Sequence, residues 1–289
     1  MKDHKAQAGV KVHSSIPYTS DGQNPKQTYD VFFPPNLQPE SPRPLLVYIH
    51  GGAWRTGDKS EYSYLGTHFA QNYNIPTLVP SYRLSPKVTH PTHLQDVALA
   101  ISHFINTSHT HLPSPITQIY ISGHSAGGFM STLLSLLPEY LDKADAETSS
   151  PTRTYTLIKG IIGIQGIYSI PNLLSVWPSY SSFIHPAFGA DTSLYPLTSP
   201  THISPSTLTN HSLTHPTLPP YLLIHSPNDE LVDFGQTKDL EVRLRALDAD
   251  VEVVGEGLKG THFGVLKEAA FLKVLGDFVE GQWSKSHPH

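Results

Sequence analysis

The chain has 289 residues, of which 38% are hydrophobic and 15% charged, and it carries a net charge of −5 with its 18 histidines neutral. A chain of this length buries a large core within one domain, and this charge content excludes a disordered solvating chain and a basic surface for nucleic acid. It has no cysteine, so disulfides, thiolate metal sites and cysteine nucleophiles are excluded.

The first residues, MKDHKAQAGV, place no apolar stretch behind their charges, so they do not read as a secretory signal. No run of about 18 apolar residues occurs, so no membrane span is expected. A soluble, cytoplasmic protein is the simplest expectation, and the oligomeric state is not legible. The segment TYDVFFP (28–34) alternates in polarity and predicts one arm of an antiparallel entry hairpin. Six near-continuous apolar runs follow: PLLVYIH (44–50), IPTLVPSY (75–82), ITQIYISG (116–123), IKGIIGIQG (158–166), PYLLIHS (220–226) and VEVVGEG (251–257). Runs of this kind suit strands covered on both faces. Helical patterns are predicted at about 60–72, 92–106, 125–137, 235–247 and 264–281. The alternation predicts an α/β fold with a mostly parallel central sheet flanked by helices.

Residues 168–219 break the rhythm. They are rich in Pro, Ser, Thr and His, and Pro171, Pro178, Pro186, Pro196, Pro200, Pro205, Pro216 and Pro219 forbid long helices. The stretch reads as a cap insertion with short helices inside one domain spanning 1–289.

Gly123-His124-Ser125-Ala126-Gly127 matches G-x-S-x-G, between the strand ITQIYI and the helical pattern FMSTLLSLL. A nucleophile on a sharp strand-to-helix turn needs small neighbours, and the helix start aims N–H groups at a developing oxyanion. His50-Gly51-Gly52-Ala53-Trp54 follows the strand LLVYI. Its glycines let the backbone approach such an oxygen, so Gly51, Gly52 and Ala126 are the expected oxyanion donors. His50 is expected to prop this loop. Trp54, Tyr82, His124 and Phe129 are the candidate substrate contacts. A serine hydroxyl also needs a base and an orienting acid, in the chain order Ser, Asp/Glu, His for this type of fold. Asp229, after the strand YLLIHS, is the expected acid, with Glu230 and Asp233 as competitors. His262, after VEVVGEG, is the expected base. His225 lies within a strand run and reads as a packed core histidine.

Other patterns carry less. The pairs His90/His93 and His109/His111 lack a third ligand, so no metal is expected, and no phosphate loop or dinucleotide fingerprint is present. No cofactor is implied. Asp96 opens the 92–106 helix and is expected to favour its dipole or a nearby loop.

These residues resemble one group of α/β hydrolases. His50-Gly51-Gly52-Ala53-Trp54 is similar to the HGGxW motif of kynurenine formamidases. Ser81-Tyr82-Arg83-Leu84-Ser85-Pro86, with Asp96-Val97 and Ala100, is similar to that group and to the hormone-sensitive-lipase-like esterases. The likeness covers about residues 28–135 and departs from the lipase-like pattern at Ala53 and His124. It implies an α/β-hydrolase fold and a Ser125–His262–Asp229 triad acting on a small ester or aryl formamide. The fold and triad transfer through such a likeness, and the substrate does not. A broad short-chain carboxylesterase, a secondary-metabolism hydrolase or acyltransferase using the same serine, and a ligand-binding protein on the same fold are the rival readings.

Overall fold

The structure is a computed structural model that describes residues 9–35, 37–38, 42–110, 112, 115–149, 152–203 and 218–287. Its elements run β1 (Lys11–Pro17), β2 (Thr28–Phe33), β3 (Leu45–Ile49), α1 (Ser63–Asn72), β4 (Thr77–Pro80), α2 (Thr92–Thr107), β5 (Ile119–His124), α3 (Ala126–Leu136), α4 (Glu139–Glu147) and β6 (Ile158–Ile164). They continue with α5 (Ile170–Val176), α6 (Ser181–Phe188), α7 (Tyr195–Thr198), β7 (Tyr221–Ile224), α8 (Phe234–Arg245), β8 (Val251–Val254) and α9 (Ala269–Ser286). Short 3₁₀ turns at Lys59–Tyr62 and Gly264–Lys267 take the first turns expected of α1 and α9.

The strands form one sheet in the order β1-β2-β4-β3-β5-β6-β7-β8. The β1–β2 and β2–β4 pairs are antiparallel, and every pair from β4 to β8 is parallel. β1 is thus the second arm of the entry hairpin. The parallel strands are apolar on both faces because helices cover both, and β3, β4, β5 and β7 are buried at every position. Two apolar clusters flank the sheet, one around α2 and α3 and the other around α1 and α9.

The chain leaves β3 toward β4 on one side and returns to β5 on the other. The order therefore reverses at β3, where the loops after β3 and β5 open a crevice at the carboxyl ends of the strands. The described part of the 168–219 stretch holds the short helices α5, α6 and α7, with Pro171 and Pro196 in first turns, where a missing N–H costs nothing. Pro205 and Pro216 lie outside the described residues. This cap is fastened to the body by polar bonds. Tyr168 and Ser169 N–H donate to Gln236 Oε1 at 2.8 and 2.7 Å, and His90 N–H donates to Ala187 O at 2.7 Å.

Candidate active site

β3 and β5 are neighbours that pair Ile49 with Gly123, so the segments that follow them meet at one edge of the sheet. Ser125 takes the turn between β5 and α3 with φ 54° and ψ −117°. That is a left-handed backbone for a residue with a side chain, and such strain persists only where its surroundings impose it. They do so here. Ser125 N–H donates to Ile164 O at 2.9 Å, while its carbonyl accepts from Gly128 N–H at 2.9 Å. A Cβ at Gly123 would meet Gly127 O at 2.1 Å, and one at Gly127 would meet Ile49 O at 2.1 Å. Both contacts are with backbone that cannot rotate aside. Gly127→Ala is therefore expected to cost about 1–3 kcal/mol of stability and to lower ester turnover, which urea unfolding beside an ester assay checks.

The loop after β3 turns sharply, with φ of 107°, 53° and 57° at Gly52, Ala53 and Trp54. Tyr82 holds it from below by donating its hydroxyl to His50 O at 3.0 Å. The His50 ring stacks on Tyr82 at 4.4 Å, and burial pushes its pKa down to about 4, so it is a neutral prop. Among the described residues, the N–H groups of Gly52, Ala53 and Ala126 have no hydrogen-bond acceptor. Gly52 and Ala53 line the crevice beside Ser125. Gly51 does not; a Cβ there would press on His124 Nδ1 and Ser125 Cβ, both at 2.9 Å.

Asp229 and His262 come from the loops after β7 and β8. His262 Nδ1 lies 2.8 Å from Asp229 Oδ2 and 3.0 Å from Oδ1. Burial pushes the Asp229 carboxyl up, but the bond and charge interaction with His262 and further donors outweigh it, holding the group at about 2. An ionised carboxylate only accepts, so Nδ1 carries a proton and points it at Asp229. Leu231 and Val232 N–H donate to Asp229 Oδ1 at 2.9 and 3.0 Å, and Gln165 Nε2 donates to Oδ2. The competing acids have other partners. Glu230 accepts from His262 N–H at 2.9 Å, and Asp233 caps α8 by accepting from Gly235 N–H. His225 is packed as expected, with Nδ1 2.8 Å from Thr237 Oγ1 and Nε2 3.1 Å from Val232 O. His225 also lies 3.6 Å from Asp229 Oδ2. Ser125 and His262 line the same crevice with no direct hydrogen bond between their side chains. Such bonds are often long before substrate binds.

The crevice holds about 290 Å³. The four side chains expected to contact substrate do not line it. Trp54, Tyr82, His124 and Phe129 are all fully buried and stand behind the lining. The positive φ of the loop turns Trp54 inward, where its ring meets Phe129 and Phe188 edge-on at 5.3 and 4.9 Å. The His124 ring packs 4.5 Å from that of His262, and its Nε2 donates to His262 O at 2.8 Å. The walls are instead Ile167, Tyr180, Phe183, Leu231 and Phe263. Tyr180 and Phe183 come from the cap, where spacing gave no signal. Gln165, which donates to Asp229, was also missed: it directly follows β6 with φ 45°, a position that carries no motif. Asp96 pairs bidentately with Arg83 at 2.8 and 2.6 Å and accepts from its N–H at 2.9 Å, which is the nearby-loop role. His90 stacks on Phe188 and His93 bonds to Ser85; His111 lies outside the described residues.

A mostly parallel sheet with a strained serine after its central strand, and an Asp–His pair on the loops beyond, defines an α/β hydrolase. The model of the BD-FAE family matches residues 29–244, and the chain belongs to that family. It is 26% identical over 246 residues to a kynurenine formamidase of Saccharomyces cerevisiae, covering 83% of this chain and 90% of that one. It is also 26% identical over 246 residues to a probable isoprenylcysteine alpha-carbonyl methylesterase of Arabidopsis thaliana, covering 84% of this chain and 49% of the other. Among solved structures, esterase B from Lactobacillus rhamnosis superposes with a TM-score of 0.76 at 17% identity, covering 99% of this chain and 90% of that one. The protein is thus a hydrolase of the esterase and formamidase type. Among the described residues, no helix is long and apolar enough to cross a membrane.

Proposed function

We propose that this chain is a serine hydrolase that cleaves a small carboxylic ester or aryl formamide through an acyl-enzyme. The carrying observation is the strained Ser125, which shares its crevice with a His262 whose Nδ1 is held by an ionised Asp229. In this reading Ser125 Oγ adds to the carbonyl carbon while His262 Nε2 takes its proton. The free N–H groups of Gly52, Ala53 and Ala126 hold the oxyanion, and Gly51 supplies close approach rather than a donor. The tetrahedral adduct expels the alcohol or amine, which takes the proton back from His262. Water then adds to the acyl-enzyme by the same route and releases the acid. Residues 1–289 act as one unit whose cap supplies the far wall.

The relatives support both substrate classes, since one is a formamidase and the other a probable methylesterase. Turnover of N-formylkynurenine compared with short p-nitrophenyl esters separates them. Formamidase action predicts a higher kcat/KM on N-formylkynurenine; fast ester cleavage without formamide cleavage assigns a short-chain carboxylesterase. A fluorophosphonate probe is expected to label one serine per chain, and failure to label would sink the hydrolase mechanism.

A further inference from the structure

Arg55 lines the crevice and belongs to the same loop as the oxyanion donors, two residues beyond Ala53. Its guanidinium carbon lies 5.2 Å from the centroid of the Phe183 ring on the cap. A cation–π contact of this kind holds the long side chain beside the cap without using any of its N–H donors in a hydrogen bond. Among the described residues, no carboxylate or carbonyl accepts from Arg55, and no Asp or Glu lines the crevice. Every other guanidinium among the described residues is paired: Arg43 with Glu280, Arg83 with Asp96, Arg153 with Asp142, Arg243 with Ile203 O and Arg245 with Glu241. Arg55 is the exception, and it stands at the mouth of the site. Beyond Thr56, Tyr180 and the Ser125 and His262 side chains, the wall is apolar, with Ile167, Phe183, Leu231 and Phe263.

A planar cation beside a largely apolar crevice, with no acceptor for its N–H donors among the described residues, matches a planar anion at the end of an apolar body. We infer that the substrate of this site carries a carboxylate, on its acyl or its leaving group, which pairs with Arg55 while the apolar part fills the crevice and the carbonyl reaches Ser125. This inference rests on the serine hydrolase reading and adds the charge of the substrate to it. The bland alternative is that Arg55 only fastens the cap to the body through Phe183.

Two matched pairs of esters test it. Mono-p-nitrophenyl adipate and p-nitrophenyl hexanoate differ by a carboxylate on the acyl side. 4-Acetoxybenzoate and p-tolyl acetate differ by one on the leaving group. With non-enzymatic hydrolysis subtracted, the wild type is expected to favour the anionic member of at least one pair by tenfold or more in kcat/KM. In Arg55→Met that preference falls at least tenfold, mainly through KM, while Arg55→Lys keeps part of it. Added salt weakens the wild-type preference and leaves the Met variant indifferent. No anionic preference in either pair overturns the inference, as does a preference that survives Arg55→Met. Equal loss on both members of a pair assigns Arg55 to the cap alone and also overturns it. If the wild type cleaves none of the four esters and resists the fluorophosphonate, the hydrolase reading itself has failed, which is a different outcome.

Discussion

Ser125→Ala is expected to lower kcat on p-nitrophenyl acetate by about 10⁶-fold, and Asp229→Asn by about 10⁴-fold, with circular dichroism and melting temperature little changed. Alanine removes the attacking oxygen, so only the oxyanion donors and binding remain. Asparagine is subtler. It keeps the shape of Asp229 but presents an N–H₂ toward His262 Nδ1, which turns the imidazole to the wrong tautomer and aims a proton at Ser125 from Nε2. Glu230→Gln is the control that the geometry supplies. Glu230 touches the backbone N–H of His262 and not the ring, so a neutral amide oxygen can still accept there. A loss of less than tenfold is expected. Equal kcat for Ser125→Ala and wild type would end the mechanism, and a 10⁴-fold loss at Glu230 instead of Asp229 would transfer the acid role.

Why the order of the candidate residues is legible in the sequence, and the lining of the crevice is not, follows from what each depends on. The elbow, the glycine loop and the order of Ser125, Asp229 and His262 are local: each follows a buried strand, and turns after strands carry glycine and polar signatures that spacing exposes. The parallel sheet was legible for the same reason, since strands covered on both faces must be apolar throughout. Glu230 and Asp229 are neighbours in the chain, so spacing alone kept both open; only the directions of their side chains separate them.

The lining of the crevice is not legible in the sequence because it depends on backbone sign and on long-range docking. Trp54 follows two glycines beside the catalytic loop, which made it a natural wall. Three successive positive φ values reverse its direction and send it into the core. Tyr180 and Phe183 reach the crevice only because the cap folds back, with Tyr180 donating its hydroxyl to Leu231 O at 3.0 Å. A proline-rich stretch has no periodicity from which such docking can be read. Gln165 supports Asp229 across a sequence separation of 64 residues, and pairing of β6 with β7 is what makes the two meet. α4 passed unnoticed because its residues, EYLDKADAE, are mostly polar and bury only Leu141, Ala144 and Asp145.

The many histidines set the second large effect, which concerns stability rather than turnover. His50, His93 and His124 are fully buried, and burial pushes His50 and His93 down to about 4 and His124 well below the ordinary 6.5. Each is neutral in the fold and protonates freely in the unfolded chain. Above pH 6.5 neither state binds the extra proton, so these groups leave stability unchanged with pH. Below it the unfolded state gains protons that the fold refuses, and stability falls until the folded values are reached near pH 4. By pH 5 His50 and His93, each held at about 4, cost about 2 kcal/mol apiece, and the buried His124 acts in the same direction. Together His50 and His93 alone approach the lower end of the stability of a typical domain, about 5–15 kcal/mol. Carboxylates do not produce this loss, because Asp229, held at about 2, begins to matter only below about pH 4. Urea unfolding at pH 7.5, 6.5, 5.5 and 5 is therefore expected to show a plateau and then a steep decline. His93→Gln keeps a partner for the Ser85 hydroxyl, which now lies 3.0 Å from His93 Nε2, and removes one titrating ring. Its decline should be shallower by about 1.4 kcal/mol per pH unit. Stability that is level from pH 7.5 to 5, or a slope that His93→Gln leaves unchanged, would show that these rings do not govern the acid limit of the fold.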